Sequence, residues 1–92
     1  MSDKNISENK LEGILDRETL AKIQPGLQVR SLDNEFVGDV VGVQGRYLEL
    51  RQEGQSRWIS LEEVRSADEV AVYLRQNAHA VRKAWHSSKP QS

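Results

Sequence analysis

The 92-residue chain contains no cysteine, only two prolines and only 5% aromatic residues. Without cysteine there is no disulfide framework, thiolate zinc site, iron–sulfur cluster or thiol nucleophile. The apolar runs are too short for a membrane-crossing helix. Residues 1–5 are polar and lead into no apolar stretch, so no secretory signal is expected. These absences favour a cytoplasmic protein with no membrane partner.

The chain also has almost no net charge. Thirteen Lys and Arg residues are balanced by fourteen Asp and Glu residues, which gives a formal net charge of −1. So small a net charge provides no long-range attraction to nucleic acid, to membranes or to an acidic partner. The length is that of one small domain.

Composition changes along the chain and indicates three parts. Residues 1–22 are expected to form a flexible N-terminal arm, in which Asp16 is a suitable N-cap for a short helix. Residues 23–86 are expected to form a β-barrel with a C-terminal helix. Residues 87–92 are polar and are expected to form a loose tail.

The middle of the chain has the period-two pattern of short strands, interrupted by Gly and Asx turns. The predicted strands cover about 27–31, 36–43, 47–51, 57–60 and 69–74. Gly38 and Gly42 indicate a bulge or a sharp bend in the second strand. Ser60 is expected to cap a short turn over residues 61–64.

The C-terminal part of the chain allows two interpretations. Asn77 is a good N-cap for a helix over residues 78–86, which would follow the strand at 69–74. The alternative is one continuous helix over residues 68–86, because several apolar residues there also have helical spacing. The density of β-branched residues in 69–73 favours the strand.

Four motifs follow one another through the middle of the chain. They are Ile23-x-Pro-Gly-x-x-Val, Asp33-x-x-x-Val-Gly-Asp-Val-x-x-Val-x-Gly-x-Tyr-Leu, Trp58-Ile-Ser-Leu-x-x-Val and Val70-x-Val-x-Leu. In this order they resemble the PRC-barrel family, most closely a branch of small bacterial proteins of unknown function. The resemblance covers roughly residues 23–85.

The resemblance implies a small, bent, SH3-like or PRC-type β-barrel of five to six short strands. In that family the domain is an adaptor that docks onto another protein, and no catalytic residues come with it. The chain departs from the family pattern at two points. Asn34 follows Asp33 where Asp-Gly is usual, and Ser60 stands where a proline is usual.

No pattern in the sequence indicates a catalytic, metal or cofactor site. His79 and His86 are seven residues apart, about 10 Å along a helix, which is too far for two zinc–nitrogen bonds of about 2.0 Å. There is no Gly-x-Ser-x-Gly nucleophile motif, and the glycines fit no phosphate-binding loop. We therefore expect a protein that is not an enzyme and binds no cofactor.

Arginine and aromatic side chains recur in the neighbouring predicted hairpins. The candidate interaction surface consists of Arg46, Tyr47, Arg51, Arg57 and Trp58. An exposed Trp beside an Arg is typical of a protein interface. The alternative is that Trp58, Tyr73 and Trp85 form a second small core between the barrel and the helix.

The function expected from these observations is that of a non-enzymatic, protein-binding adaptor. An open sheet edge would also allow a homodimer. The rival is an RNA- or DNA-binding small barrel that uses the arginine and Trp58 surface, because such surfaces stack on single strands. It is less favoured because the barrel segment has more acidic than basic side chains, and phosphate binding depends on cations.

Overall fold

The computed structural model describes residues 15–90, which form a mainly β structure with a C-terminal helix, as predicted. The strands are β1 (Gln28–Arg30), β2 (Phe36–Gln44), β3 (Tyr47–Gln52), β4 (Gln55–Ser60), β5 (Val64–Ala67) and β6 (Ala71–Leu74). The helices are α1 (Arg17–Lys22) and α2 (Ala78–Ala84), and a 3-10 turn covers Leu61–Glu63. Neither helix of residues 15–90 has the length and hydropathy needed to cross a membrane.

The six strands form one sheet in the order β4-β3-β2-β1-β6-β5. The neighbouring strands are antiparallel, except that β1 and β6 are parallel. The two edge strands, β4 and β5, are consecutive in the chain and are joined by the 3-10 turn Leu61–Glu63. Because three residues connect opposite ends of the sheet, the sheet must curve. Within residues 15–90 the two edges do not pair with each other.

The inner face of the curved sheet carries the hydrophobic core. Its largest fully buried side chains are Leu48, Leu50, Ile59, Leu61 and Leu74. Full burial of one such side chain contributes roughly 1.5–3 kcal/mol. This core depends on long-range packing, since its residues come from β3, β4, the 3-10 turn and β6.

The described part of the expected N-terminal arm, residues 15–22, contributes to this core. Leu15 is only 6% exposed, and Leu20 packs against the core with part of its surface. Asp16 is the N-cap of α1 and accepts a hydrogen bond from the backbone N–H of Thr19 at 2.7 Å. The remainder of the expected arm, residues 1–14, lies outside the described residues.

Strand β2 contains the bulge that its glycines indicate. The pairing of β2 with β3 shifts register between Val40 and Gly42, which leaves one extra residue on β2. A Cβ atom on Gly38 would lie 2.8 Å from the carbonyl oxygen of Arg51 and 2.5 Å from Leu50 Cδ1. Glycine is therefore needed at position 38 because the β3 backbone approaches so closely.

The structure adds one strand, shortens one predicted helix and removes one alternative. Strand β5 was not predicted, because a register shift between Val64 and Ser66 breaks its alternation. Its first residue, Val64, was predicted to be the end of a turn. Helix α2 ends at Ala84, so His86 does not share a helical face with His79. A continuous helix over residues 68–86 is excluded because β6 occupies Ala71–Leu74.

Asp33 joins helix α2 to the turn between β1 and β2. Its Oδ1 accepts hydrogen bonds from the Ser31 hydroxyl and, at 3.1 Å, from the backbone N–H of Ala78, the first residue of α2. Ser31 is only 1% exposed, and its Oγ accepts from the backbone N–H of Glu35. The Ser31 hydroxyl, and then the Ala78 N–H, lower the pKa of the Asp33 carboxyl below its usual value.

Candidate interaction surface

The pairing of β3 with β4 determines which side chains share a face of the sheet. Directly paired residues point to the same side. Leu48 pairs with Ile59, and both are buried on the inner face. The neighbouring pairs lie on the outer face, namely Tyr47 with Ser60, Glu49 with Trp58 and Arg51 with Ser56.

The structure brings together three of the five predicted surface residues. Tyr47, Arg51 and Trp58 lie on the outer face of β3 and β4. Arg46 is exposed in the turn between β2 and β3, and its carbonyl oxygen accepts a hydrogen bond from the Leu61 N–H at 2.9 Å. Arg57 pairs with the inner-face residue Leu50 and therefore points away from the other three.

Arg57 packs against the end of helix α2. Its guanidinium carbon lies 5.5 Å from the centroid of the Trp85 ring, within the usual range of a cation–π contact. Its Nη2 donates a hydrogen bond to Gln55 Oε1 at 2.9 Å. Trp85 packs against the core with part of its surface. The Arg57 guanidinium thus lies on the inner side of β4, against Trp85, and does not share the outer face with Trp58.

The C-terminal residues return to the edge of the sheet beside Trp58. We call residues 86–90 the C-terminal strap. The backbone N–H of Trp58 donates to the backbone carbonyl of His86 at 3.0 Å, and the backbone N–H of His86 donates to the backbone carbonyl of Trp58 at 2.7 Å. These two bonds form an isolated antiparallel bridge. The His86 ring meets the Tyr47 ring edge-on, with the ring centroids 5.9 Å apart.

Hydrogen bonding alone does not account for the position of the strap. Each backbone hydrogen bond contributes a net of about 0.5–1.5 kcal/mol. Ordering the backbone of a residue costs about 1–2 kcal/mol. Two bonds therefore do not offset the ordering of residues 86–90, and contacts such as that of His86 with Tyr47 must supply the rest. The strap is therefore held by two backbone hydrogen bonds together with side-chain contacts.

A hollow of about 260 Å³ lies between the strap and the outer face. Its lining residues are Gln44, Gly45, Tyr47, Trp58, Lys89 and Pro90. Trp58 is half-buried, and its indole Nε1 is buried without a hydrogen-bond acceptor among residues 15–90. Two aromatic side chains thus line the hollow, and one of them carries a buried donor that lacks a partner among residues 15–90.

Glu49 lies beside this hollow as a buried carboxylate. Although it is on the outer face, only 8% of its surface is exposed. Gln44 Nε2 donates to Oε1 and the Ser56 hydroxyl donates to Oε2, both at 2.9 Å. Both oxygens are therefore occupied, and the carboxylate fixes the side chains around the Tyr47 and Trp58 face. Glu49 was not predicted as a site residue, although its outward position follows from its place between Leu48 and Leu50.

Of the three residues in the alternative second core, Trp58, Tyr73 and Trp85, only Trp85 packs against the hydrophobic core. Trp85 is partly buried beside the inner end of β4, as described above. Tyr73 has other neighbours, since the Arg65 guanidinium carbon lies 5.9 Å from its ring centroid and its hydroxyl donates to Asp68 Oδ2 at 3.3 Å. The contacts of Tyr73 therefore belong to β5 and to the turn between β5 and β6, away from the bridge at Trp58.

A second hollow of about 320 Å³ is lined by Lys22, Gln24, Leu27, Asp68 and Glu69. None of these five lining residues is aromatic. No group of three or more His, Asp or Glu residues within 15–90 is arranged to hold a metal ion.

The fold and this surface define a small, mainly β protein that presents a Tyr–Trp face beside a sheet edge. The chain belongs to the DUF2171 family, described as "Uncharacterized protein conserved in bacteria", whose family model matches residues 23–82. This agrees with the bacterial part of the resemblance found in the sequence. Comparisons with curated proteins and with solved structures found no match.

Proposed function

We propose that this protein is a non-enzymatic, cytoplasmic adaptor that binds another protein through the outer face of β3 and β4. The observation that carries the proposal is Trp58, which lines the hollow and whose indole N–H is buried without an acceptor among residues 15–90. Tryptophan and tyrosine are enriched among the residues that dominate binding energy at protein interfaces. Tyr47 and Trp58 supply this combination on one face.

The outer-face position of the unpartnered Trp58 donor favours binding over a purely structural role, since the other such donor among residues 15–90, Arg57 Nε, lies on the inner side beside Trp85. A buried donor without a partner costs about 1–3 kcal/mol. A protein that used Trp58 only for stability would gain by pairing this N–H or by having phenylalanine at the position. A backbone carbonyl or a side-chain oxygen of a partner could accept the bond and would remove this cost on binding.

We also propose that the curved sheet is a PRC-type barrel, as the sequence resemblance implies. The connectivity supports this, because the two edge strands follow each other in the chain and are linked by only Leu61–Glu63. A barrel of this kind would leave its outer face available for docking. It would contain no room for a substrate cleft, which is consistent with an adaptor.

Nucleic-acid binding is the second candidate, and the arrangement of the arginines disfavours it. Arg57 is held against Trp85 and Gln55 on the inner side. The outer face that carries Tyr47 and Trp58 also carries the carboxylate of Glu49. Arg46 and Arg51 remain exposed, but affinity for phosphate depends on the number of cations engaged.

A pull-down from the source bacterium tests the proposal. The tagged protein is compared with Trp58→Ala and with Phe36→Ala, which removes an exposed aromatic side chain elsewhere on the sheet. Each sample is divided, and one half is treated with nuclease. We expect a defined protein to be recovered with the wild type and with Phe36→Ala after nuclease treatment, and to be lost with Trp58→Ala.

Three other results would contradict the proposal or redirect it. Equal recovery by all three proteins would show that the Trp58 face is not the binding site. Nuclease-sensitive recovery of RNA or DNA that depends on Arg46 and Arg51 would support the second candidate. Recovery of only the untagged chain would indicate that the partner is a second copy, and sedimentation of the purified protein would then measure the dimer.

A further inference from the structure

We propose that the exposed edge of β4 is a strand-addition site, where an extended segment of the partner displaces the C-terminal strap. The inference rests on the proposed protein-binding function and specifies how the partner is held. The partner segment would run antiparallel to β4 and would take over the two backbone hydrogen bonds now made by His86.

The bridge between Trp58 and His86 shows that this edge already accepts an extended backbone. Both hydrogen bonds of an antiparallel pair are formed, at 3.0 and 2.7 Å. Strand β4 has six residues, yet among residues 15–90 its outer edge pairs with only one. Because the backbone groups alternate in direction, those of Ser56 and Ser60 point to the same edge as those of Trp58. A longer segment could therefore pair with more of β4 than the strap does.

The strap is built so that a competitor can replace it. His86, Ser87, Ser88 and Lys89 are exposed, and Pro90 is only partly buried. Helix α2 is held independently of the strap, because Asn77 caps it and Asp33 accepts from its first N–H. Trp85 remains packed against the core. Residues 86–90 can therefore leave the edge without unfolding the helix that precedes them.

The outer face indicates which side chain the partner brings. The His86 ring lies edge-on to the Tyr47 ring at an interplanar angle of 88°. A partner segment with an aromatic or imidazole ring opposite Trp58 would reproduce this contact. A carbonyl or side-chain oxygen near that ring would accept from Trp58 Nε1, for which residues 15–90 supply no acceptor. Strand addition generally obtains affinity from the backbone and specificity from such alternate side chains.

A competition experiment on the full-length chain tests the inference. The probe is a labelled synthetic peptide with the sequence of residues 84–90, followed by NMR so that weak binding is detected. His86→Pro removes the N–H that the Trp58 carbonyl accepts, and proline is compatible with the extended Trp85 before it. His86→Ala is the matched control, because it loses the ring but keeps both backbone bonds.

We expect His86→Pro to bind the probe at least about tenfold more tightly than the wild type, because an occupied site lowers apparent affinity. His86→Ala is expected to gain much less. The strongest shifts should fall on Trp58 and on its neighbours in β4. No gain for His86→Pro over the wild type, or shifts confined to other strands, would overturn the inference.

Hydrogen exchange on the unmodified protein keeps the inference testable if His86→Pro fails to fold. Opening of the strap should expose the Trp58 amide, so it should exchange at least about tenfold faster than the Ile59 amide, whose protection depends on the sheet itself. Equal exchange rates would show that the strap opens only with the whole fold, and would overturn the inference. If strand addition fails while Trp58-dependent recovery persists in the pull-down, the protein-binding function stands without this mode.

Discussion

Arg57 and Trp58 are neighbours in the chain, and their side chains lie on opposite faces of β4. Arg57 pairs with Leu50 on the inner face, and Trp58 pairs with Glu49 on the outer face. Arg57 therefore packs against Trp85 on the side of the core, and Trp58 lines the hollow on the other side. Adjacent substitutions should consequently affect different properties, with position 57 affecting stability and position 58 affecting binding.

Replacing Trp58 by phenylalanine should leave the fold intact. Phenylalanine keeps an aromatic ring and removes a buried N–H that has no acceptor within residues 15–90. We expect the free energy of unfolding to change by less than about 1 kcal/mol, because the loss of ring area is offset by removal of the unpaired donor. Urea denaturation measures this change. A loss of more than about 2 kcal/mol would show that Trp58 has mainly a structural role.

Replacing Gly38 by alanine should destabilise the protein. The added methyl group would lie 2.8 Å from the Arg51 carbonyl oxygen, so β2 and β3 must separate. We expect a loss of about 1–3 kcal/mol in the free energy of unfolding. Gly42→Ala is the control, since nothing lies within 4 Å of its Cβ position. Its expected change is within about 1 kcal/mol, and equal losses for both variants would contradict the close approach described at Gly38.

Truncating Leu48 tests the position of the core. Leu48 is 0% exposed, and Leu48→Ala should lower the free energy of unfolding by about 2–5 kcal/mol. Leu32→Ala makes the same chemical change at a side chain that is 53% exposed, and should cost no more than about 0.5 kcal/mol. Both values come from chemical denaturation at one pH. Similar losses for the two leucines would place the core elsewhere.

Acid should destabilise the protein partly through Asp33. The Ser31 hydroxyl and the Ala78 N–H lower the pKa of this carboxyl in the folded protein. A lowered folded-state pKa contributes stability at pH values above the unfolded pKa of about 3.9, and the contribution is lost as the pH falls through the folded pKa. Asp33→Asn should therefore flatten the decline in the free energy of unfolding below about pH 4. Identical pH profiles for wild type and variant would show that protonation of Asp33 does not cause the loss of stability in acid.

Local pattern was sufficient for most of the fold. The alternation of Leu48 and Leu50 predicted β3, and the side chains of Asp16 and Asn77 predicted the starts of both helices. Strand β5 was missed because its bulge beside Val64 removes the period-two pattern. The parallel pairing of β1 with β6 joins segments more than 40 residues apart, and no local signal in either segment specifies it.

The candidate surface was harder to predict because it depends on faces and on distant segments. Alternation along β4 puts Arg57 on the same face as Ile59 and Trp58 on the opposite face. Both were nevertheless predicted to belong to one surface, because they are adjacent in the sequence. The bridge to His86 depends on helix α2 ending at Ala84. No glycine or proline follows Ala84 directly to mark that end, so the predicted helix continued to residue 86.

Site-specific photo-crosslinking in the source bacterium tests the central claim most directly. p-Benzoylphenylalanine replaces Tyr47 on the proposed face or, as the matched control, Phe36, which is 47% exposed elsewhere on the sheet. We expect a crosslink to one protein from position 47 that is absent from position 36 and is lost when Trp58→Ala is added. A crosslink to the same protein from position 36 but not from position 47, or a position-47 crosslink unaffected by Trp58→Ala, would contradict the claim that the Trp58 face binds the partner.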